Sequence, residues 1–186
     1  MEMTADRRSG LDATVPGCST PASAALTSNW RERLPVLSGD RVTLRQLRSS
    51  DAPSLFALLT TEEVSRFIST PPESVGGFER FIAWTHRQRT AGIYACFAVT
   101  PEGSDTAIGI FQVHQLDLAF DTAEWGFAIG SRFWGTGFFQ AAAELVLSFA
   151  FDVVGARRIE ARAALKNGRG TGALLKLGAV HEAFLR

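Results

Sequence analysis

Between Ala123 and Asp152 the chain changes its period once, and that change limits the folds open to it. Trp125, Phe127 and Ile129 alternate with Glu124, Gly126 and Ala128, the period of a strand. The loop Arg132-Phe-Trp-Gly135-Thr-Gly137 follows. Residues 138–154 are then almost wholly apolar, except for Gln140, Glu144, Ser148 and Asp152. Spaced by four, these form one narrow polar stripe on a helix. A helix so apolar has to lie across a sheet with most of its surface covered. A strand that feeds a helix through small residues also presents bare backbone N–H groups at the positive end of the helix dipole, which suits an anion. The glycine pair alone decides nothing, since Gly168-x-Gly170 and Gly170-x-Gly172 also occur. A tight turn without a ligand is the other reading.

The 186 residues suit one domain. Residues 1–29, rich in Ser, Thr, Ala, Gly and Pro, show no periodicity and are expected to form a disordered tail. Residues 30–40 form a lead-in that packs through Trp30, Leu34 and Leu37, and residues 41–186 form the domain. Strands are expected at 41–47, 94–100, 107–116 and 122–129. Ser50 and Asp51 can cap a helix through Leu55 to Leu59, and a second helix spans 77–90. Short turns join the second to fourth strands into an antiparallel meander. After the apolar helix comes a fifth strand, 158–165, whose crossover connection requires parallel pairing with the fourth. A helix at 167–177 ends at Gly178, and a sixth strand begins at Val180. The fold class is α/β in the α+β sense: a central mixed, mostly antiparallel sheet flanked by helices.

The formal net charge is zero, which gives no reason to expect a nucleic-acid or membrane partner. Residues 131–186 carry a local net charge of +4, which suits an anionic ligand and equally an ordinary surface. Cys18 and Cys96 imply no disulfide framework, and Cys96 reads as a small core residue. His86, His114 and His181 lack metal-ligand spacing, so no metal is expected. No run of 18 apolar residues suggests a membrane span, and the N-terminus lacks a signal-peptide core. The expected compartment is the cytoplasm.

The order strand, two helices, meander, glycine loop, helix, strand, helix, strand resembles the GCN5-related N-acetyltransferase (GNAT) family. Arg132-x-x-Gly135-x-Gly137 resembles the family's acetyl-CoA loop. Asn167-Gly-Arg-Gly-Thr-Gly-Ala-Leu-Leu-Lys-Leu-Gly178 is similar to its Asn-x-x-Ser-x-x-x-Leu-x-Lys-x-Gly-Phe segment. With Trp134 in the loop, the chain looks most like the ribosomal-protein N-terminal acetyltransferase branch. The resemblance covers residues 41–186.

It implies transfer of an acetyl group from acetyl-CoA to a primary amine, either a protein N-terminus, such as that of a ribosomal protein, or a small molecule. The pantetheine arm would pair with open backbone near Phe127, Ala128 and Ile129. The pyrophosphate would lie on N–H groups of Gly135, Thr136, Gly137 and Phe138. Arg132 and Arg169 would pair with phosphates or be solvated. Asn167 would bind pantetheine or cap a helix. Glu124 is the candidate base, and its alternation with Gly126 leaves room beside it; a structural pairing with an arginine on an adjacent strand is the rival reading. An N–H near Ile129 would hold the oxyanion.

The chain departs from the family at Leu174 and Gly170, where some members place a tyrosine or a serine, and at Ala179, where the phenylalanine stands. No acid for the departing thiolate is therefore assigned. The resemblance also implies a seventh strand, which is missing before Arg186, so a less stable chain with open strand edges is expected. The oligomeric state is left open between monomer and homodimer. Two other readings stand: a catalytically degenerate acyl-CoA-binding module, and a dinucleotide-binding fold, whose third glycine would have to replace Gln140.

Overall fold

A computed structural model describes residues 2–6, as backbone, and residues 29–184. Cys18 lies outside the described residues, as does most of the expected tail. In chain order the strands are β1 (Glu2–Asp6), β2 (Leu37–Ser38), β3 (Val42–Gln46), β4 (Tyr94–Pro101), β5 (Gly109–Gln115), β6 (Thr122–Ile129), β7 (Arg158–Arg162) and β8 (Val180–Ala183). They form one sheet in the order β2-β3-β4-β5-β6-β7-β1-β8. Among the described residues only β6 and β7 pair in parallel, as their crossover connection requires.

Helices cover both faces. Alternation along β4, β5 and β6 sends Phe97, Phe111 and Trp125 to one face, where α4 (Phe138–Ser148) lies, and Tyr94, Cys96 and Ala128 to the other. There α1 (Ala52–Leu59) and α3 (Val75–Thr90) pack, beside the short α2 (Glu62–Ser65). The polar stripe emerges as expected: Gln140, Glu144, Ser148 and Asp152 are all exposed, while Ala142, Ala143, Val146, Phe149 and Ala150 are buried. The helix widens into a π-turn over Phe149–Val154 and stops at Gly155, whose φ is +90°. Trp30 reaches further in than an edge contact: it is buried edge-on against Phe120 and Phe149. Cys96 is a buried core residue, and burial pushes its thiol up.

The expected tail needs correction at its start. Glu2–Asp6 is a strand, antiparallel to both β7 and β8. The expected open edge on β7 is therefore taken: Glu2 to Asp6 pair with Arg162 to Arg158. The physical reason is edge satisfaction. The free N–H and C=O groups of β7 and β8 recruit backbone whose own sequence has little strand propensity.

One buried ion pair ties β3 to α1. Arg45 donates to both oxygens of Asp51 at 2.8 Å and through Nε to Asp105 at 2.7 Å. Asp51 also accepts from the Arg48 N–H at 2.7 Å. Asp51, read as a helix cap, stands at the N-cap position of α1 but makes no side-chain cap hydrogen bond to it; its carboxylate serves Arg45 of β3 instead.

Candidate active site

The parallel pairing of β6 with β7 is short. Thr122, Ala123 and Glu124 face Arg158, Ile159 and Glu160, and there it ends. Beyond Glu124 the two strands part, while β6 stays paired with β5 as far as Ile129. The edge of β6 from Trp125 to Ile129 is therefore open. Its hydrogen-bonding direction follows from two contacts: Gly130 N–H donates to Ile108, and Leu116 N–H donates to the Thr122 carbonyl. In an antiparallel ladder the direction alternates. Even-numbered residues of β6 thus face β5, and the backbone groups of Trp125, Phe127 and Ile129 face the opening. Ala128 is corrected on this point: its N–H and C=O are directed at β5, and its side chain packs toward α1 and α3. Of the expected pantetheine contacts, Phe127 and Ile129 remain. The Ile129 carbonyl already accepts from the Trp134 indole at 2.9 Å, which leaves its N–H.

The glycine loop then returns the chain to α4. Gly135 and Gly137 have φ of +75° and +86°, the left-handed region, and Gly137 is the N-cap of α4. No atom lies within 4 Å of a Cβ built on Gly135. The loop is locked from within by the Thr136 hydroxyl, which donates to the Phe133 carbonyl at 2.7 Å. From outside, Arg41 donates to the Thr136 carbonyl at 2.5 Å. In a trans peptide the carbonyl and the next N–H point oppositely. Arg41 therefore turns the Gly137 N–H away from itself. Sequence reasoning missed this residue, since an arginine opening a strand gives no sign of a loop nearly a hundred residues away.

Glu124 sits where the strands part. Its side chain is 19% exposed. Arg162 Nε lies 3.6 Å and His114 Nε2 3.7 Å from the same oxygen, Oε2, and the carboxylate accepts no hydrogen bond from any described residue. The structural alternative is thus partly realised, because Arg162 belongs to the adjacent strand. The room expected beside Gly126 is taken: a Cβ there would meet the Gln112 amide nitrogen at 2.8 Å. Gln112 accepts in turn from the Tyr94 hydroxyl.

Asn167 caps α5 (Gly168–Lys176), its side chain accepting from the Gly170 N–H at 2.9 Å. A Cβ at Gly170 would lie 2.5 Å from the Asn167 amide nitrogen, so the glycine where some relatives carry serine suits this cap. Arg132 lies over the Phe133 ring, and Arg169 lies 4.7 Å from the centroid of Trp134. Neither arginine is simply solvated. Arg169 instead joins the two sequence motifs, its helix meeting the glycine loop through Trp134. Along α3, Phe78 is core, and His86 bonds the Leu47 carbonyl at 2.9 Å. Trp84 is exposed at 38%. Among the described residues no metal-holding cluster occurs, and no helix is long and apolar enough to cross a membrane.

An open strand edge running into a left-handed glycine loop at a helix N-terminus is a site for an extended chain ending in phosphate. Residues 41–180 match the model of the acetyltransferase (GNAT) domain. The chain belongs to the GNAT family. The family's chemistry is acetyl-CoA-dependent acyl transfer. The chain is 29% identical over 157 residues to the uncharacterized N-acetyltransferase YoaA of Bacillus subtilis (strain 168), covering 82% of this chain and 86% of that protein. It is similar in structure to Mycobacterium smegmatis RimJ in complex with CoA-disulfide: TM-score 0.72, 20% identity, 84% of this chain and 79% of that one. A GNAT acetyltransferase from Bacillus anthracis gives a TM-score of 0.68 at 19% identity, over 80% and 86% of the two chains. At these identities the structures speak for the fold alone.

For this GNAT chain, Arg41→Ala should weaken CoA binding roughly three- to tenfold, the loss of one charge-assisted hydrogen bond. Calorimetry should show it with an unchanged melting temperature, since Arg41 is exposed. Unchanged affinity would show that the loop holds its shape without the arginine.

Proposed function

We propose that this acetyltransferase acetylates a primary amine by direct attack on the acetyl-CoA thioester, with Glu124 assisting removal of the amine's proton. The acceptor is a protein N-terminus, such as that of a ribosomal protein, or a small-molecule amine. One observation carries the reading. A part-buried carboxylate without a hydrogen bond stands at the point where β6 opens, three residues before Phe127, whose N–H faces the opening beyond Trp125.

The roles follow from placement. The backbone of Phe127 holds the extended arm as an added strand would. The Ile129 N–H, also directed into the opening, stabilises the oxyanion. The N–H groups of Gly135 to Phe138 take the pyrophosphate, with Thr136 and Gly137 fixed by Arg41. Asn167 supports this edge as the cap of α5. An α-ammonium titrates near roughly 8, so at neutral pH the amine must lose a proton before it can attack. Glu124 receives that proton directly or through water. Tyr94 is no candidate acid for the thiolate: burial pushes its phenol up, and its hydroxyl is committed to Gln112. The thiol leaves with the second proton of the attacking nitrogen.

Glu124→Gln tests the assignment. Turnover at pH 7 should fall by about 10²-fold, the low end of general-base effects, and the loss should shrink toward pH 9 as free amine accumulates. CoA affinity should hardly change. A loss independent of pH, with a lowered melting temperature, would identify Glu124 as structural. Free-thiol release with an amine panel separates the enzyme from an acyl-CoA-binding module that does no chemistry.

A further inference from the structure

Register places a second titratable group behind Glu124. Tyr94, His114 and Glu124 stand directly across from one another on β4, β5 and β6. The His114 ring stacks on Tyr94 at 6.1 Å and 25°. Tyr94 is held on its other side by Trp84 of α3, with ring centroids 5.0 Å apart. The imidazole is thus fixed in orientation with Nε2 turned to Glu124 Oε2, while its side chain stays 34% exposed. A cross-strand histidine that only filled space would need none of these alignments.

We propose that His114 is the second half of the base: Glu124 takes the acceptor's proton and His114 stores it until it escapes to water. The inference rests on the acetyl-transfer reading above. Its argument is electrostatic. Arg162 stands at the same carboxylate oxygen, so a proton taken up there sits beside a fixed cation, with His114 Nε2 as the neighbouring acceptor. Imidazole is the side chain that changes charge between pH 5 and 8. Once protonated, His114 faces the carboxylate, which then stands between two cations. The other groups around the ring do not compete. Tyr94 stays neutral, Trp84 and Gln112 carry no charge, and Glu160 on β7 stands beyond Glu124 in register.

The proton count closes. The acceptor ammonium gives one proton to the Glu124 carboxylate, and that O–H passes it to His114 Nε2 through one water bridging the 3.7 Å gap, restoring the carboxylate. The neutral amine forms the C–N bond to the thioester carbonyl carbon, and the C–S bond breaks. The nitrogen's second proton leaves with sulfur as the thiol. The imidazolium then releases its proton to solvent.

The test uses the full chain, acetyl-CoA and whichever amine of a panel with free-N-terminus peptides the wild type acetylates fastest. His114→Gln and His114→Phe both remove the proton store, and the phenylalanine keeps a ring against Tyr94. Each should lose about ten- to a hundredfold in turnover at pH 7. By pH 9, where about nine-tenths of an α-amine is free, the loss should close to within about threefold. CoA affinity by calorimetry should stay within about twofold. Variants that keep full turnover at pH 7, or that lose the same factor at both pH values, overturn the inference and leave acetyl transfer standing. No acetylated product from the wild type with any amine overturns both.

Discussion

Changing Gly137 to glutamate should abolish measurable CoA binding and leave a folded protein. Three effects act together. The residue has φ of +86°, which costs a side-chain-bearing residue about 1–2 kcal/mol. A Cβ there comes within 3.0 Å of Arg41 Nη1, so the new carboxylate can draw that arginine from the Thr136 carbonyl. A negative charge is also placed at the helix N-terminus, where the pyrophosphate is expected. The affinity should fall by more than about a hundredfold, near 3 kcal/mol. Gly135→Ala is the subtler member of the pair. Its Cβ meets nothing within 4 Å, so the folded protein has room for it and only the ligand would collide. Gly103 supplies the control, with φ of +73° and equally open space, in the turn after β4. Both alanines should lower stability by a similar amount, about 1–2 kcal/mol, and only Gly135→Ala should cost roughly tenfold or more in CoA affinity. Equal CoA affinity by calorimetry in wild type, Gly135→Ala and Gly137→Glu would remove the phosphate from this loop.

The parts of this site that the sequence revealed are those encoded locally. The period change at Ile129, the glycine loop and the four-residue polar stripe each depend on neighbours along the chain, and each stands where expected. What stayed hidden depends on partners distant in sequence. Arg41 precedes and Arg45 lies within a strand whose alternation reads as ordinary. Their partners are Thr136, Asp51 and Asp105, and only the folded sheet brings these together. Glu2–Asp6 carries no strand signal, because its pairing comes from the vacant edges of β7 and β8 rather than from its own side chains. His114 is an intermediate case. Its spacing from the other histidines excludes a metal site and nothing more, while pairing the meander from its turns sets it opposite both Tyr94 and Glu124. The role of Gly126 was misjudged for a related reason: the space it vacates belongs to Gln112, the residue opposite it on the neighbouring strand.

Asp51→Ala should be the most damaging single change to the fold, and it should reach the cofactor loop as well. Arg45 and Asp51 are 6% and 4% exposed, and the guanidinium grips both carboxylate oxygens. Removing the carboxylate leaves a buried cation with only Asp105 and backbone carbonyls, a loss of about 3–5 kcal/mol. For a domain of this size that lowers the melting temperature by roughly 10 °C. The damage would pass through α1, which Asp51 anchors at its N-terminus. Leu58 of α1 packs so closely on Gly130 that a Cβ there would lie 3.0 Å away, and Gly130 joins β6 to the glycine loop. CoA affinity should therefore fall a few-fold even though Asp51 is remote from the ligand. Replacing both partners, Arg45→Met with Asp51→Leu, should recover most of the lost stability, since the penalty comes from the stranded charge rather than from the pair. Acid should reproduce part of the effect. The hydrogen bond from Arg45 holds the Asp105 carboxyl below its usual value. A depressed carboxylate contributes stability that is present above its unfolded value of roughly 4 and is lost as pH falls through the lowered folded value. Urea unfolding of the wild type, Asp51→Ala and the double variant gives the decision. An alanine variant within about 1 kcal/mol of wild type would show that solvent reaches Arg45 and that the pair does not hold α1 in place.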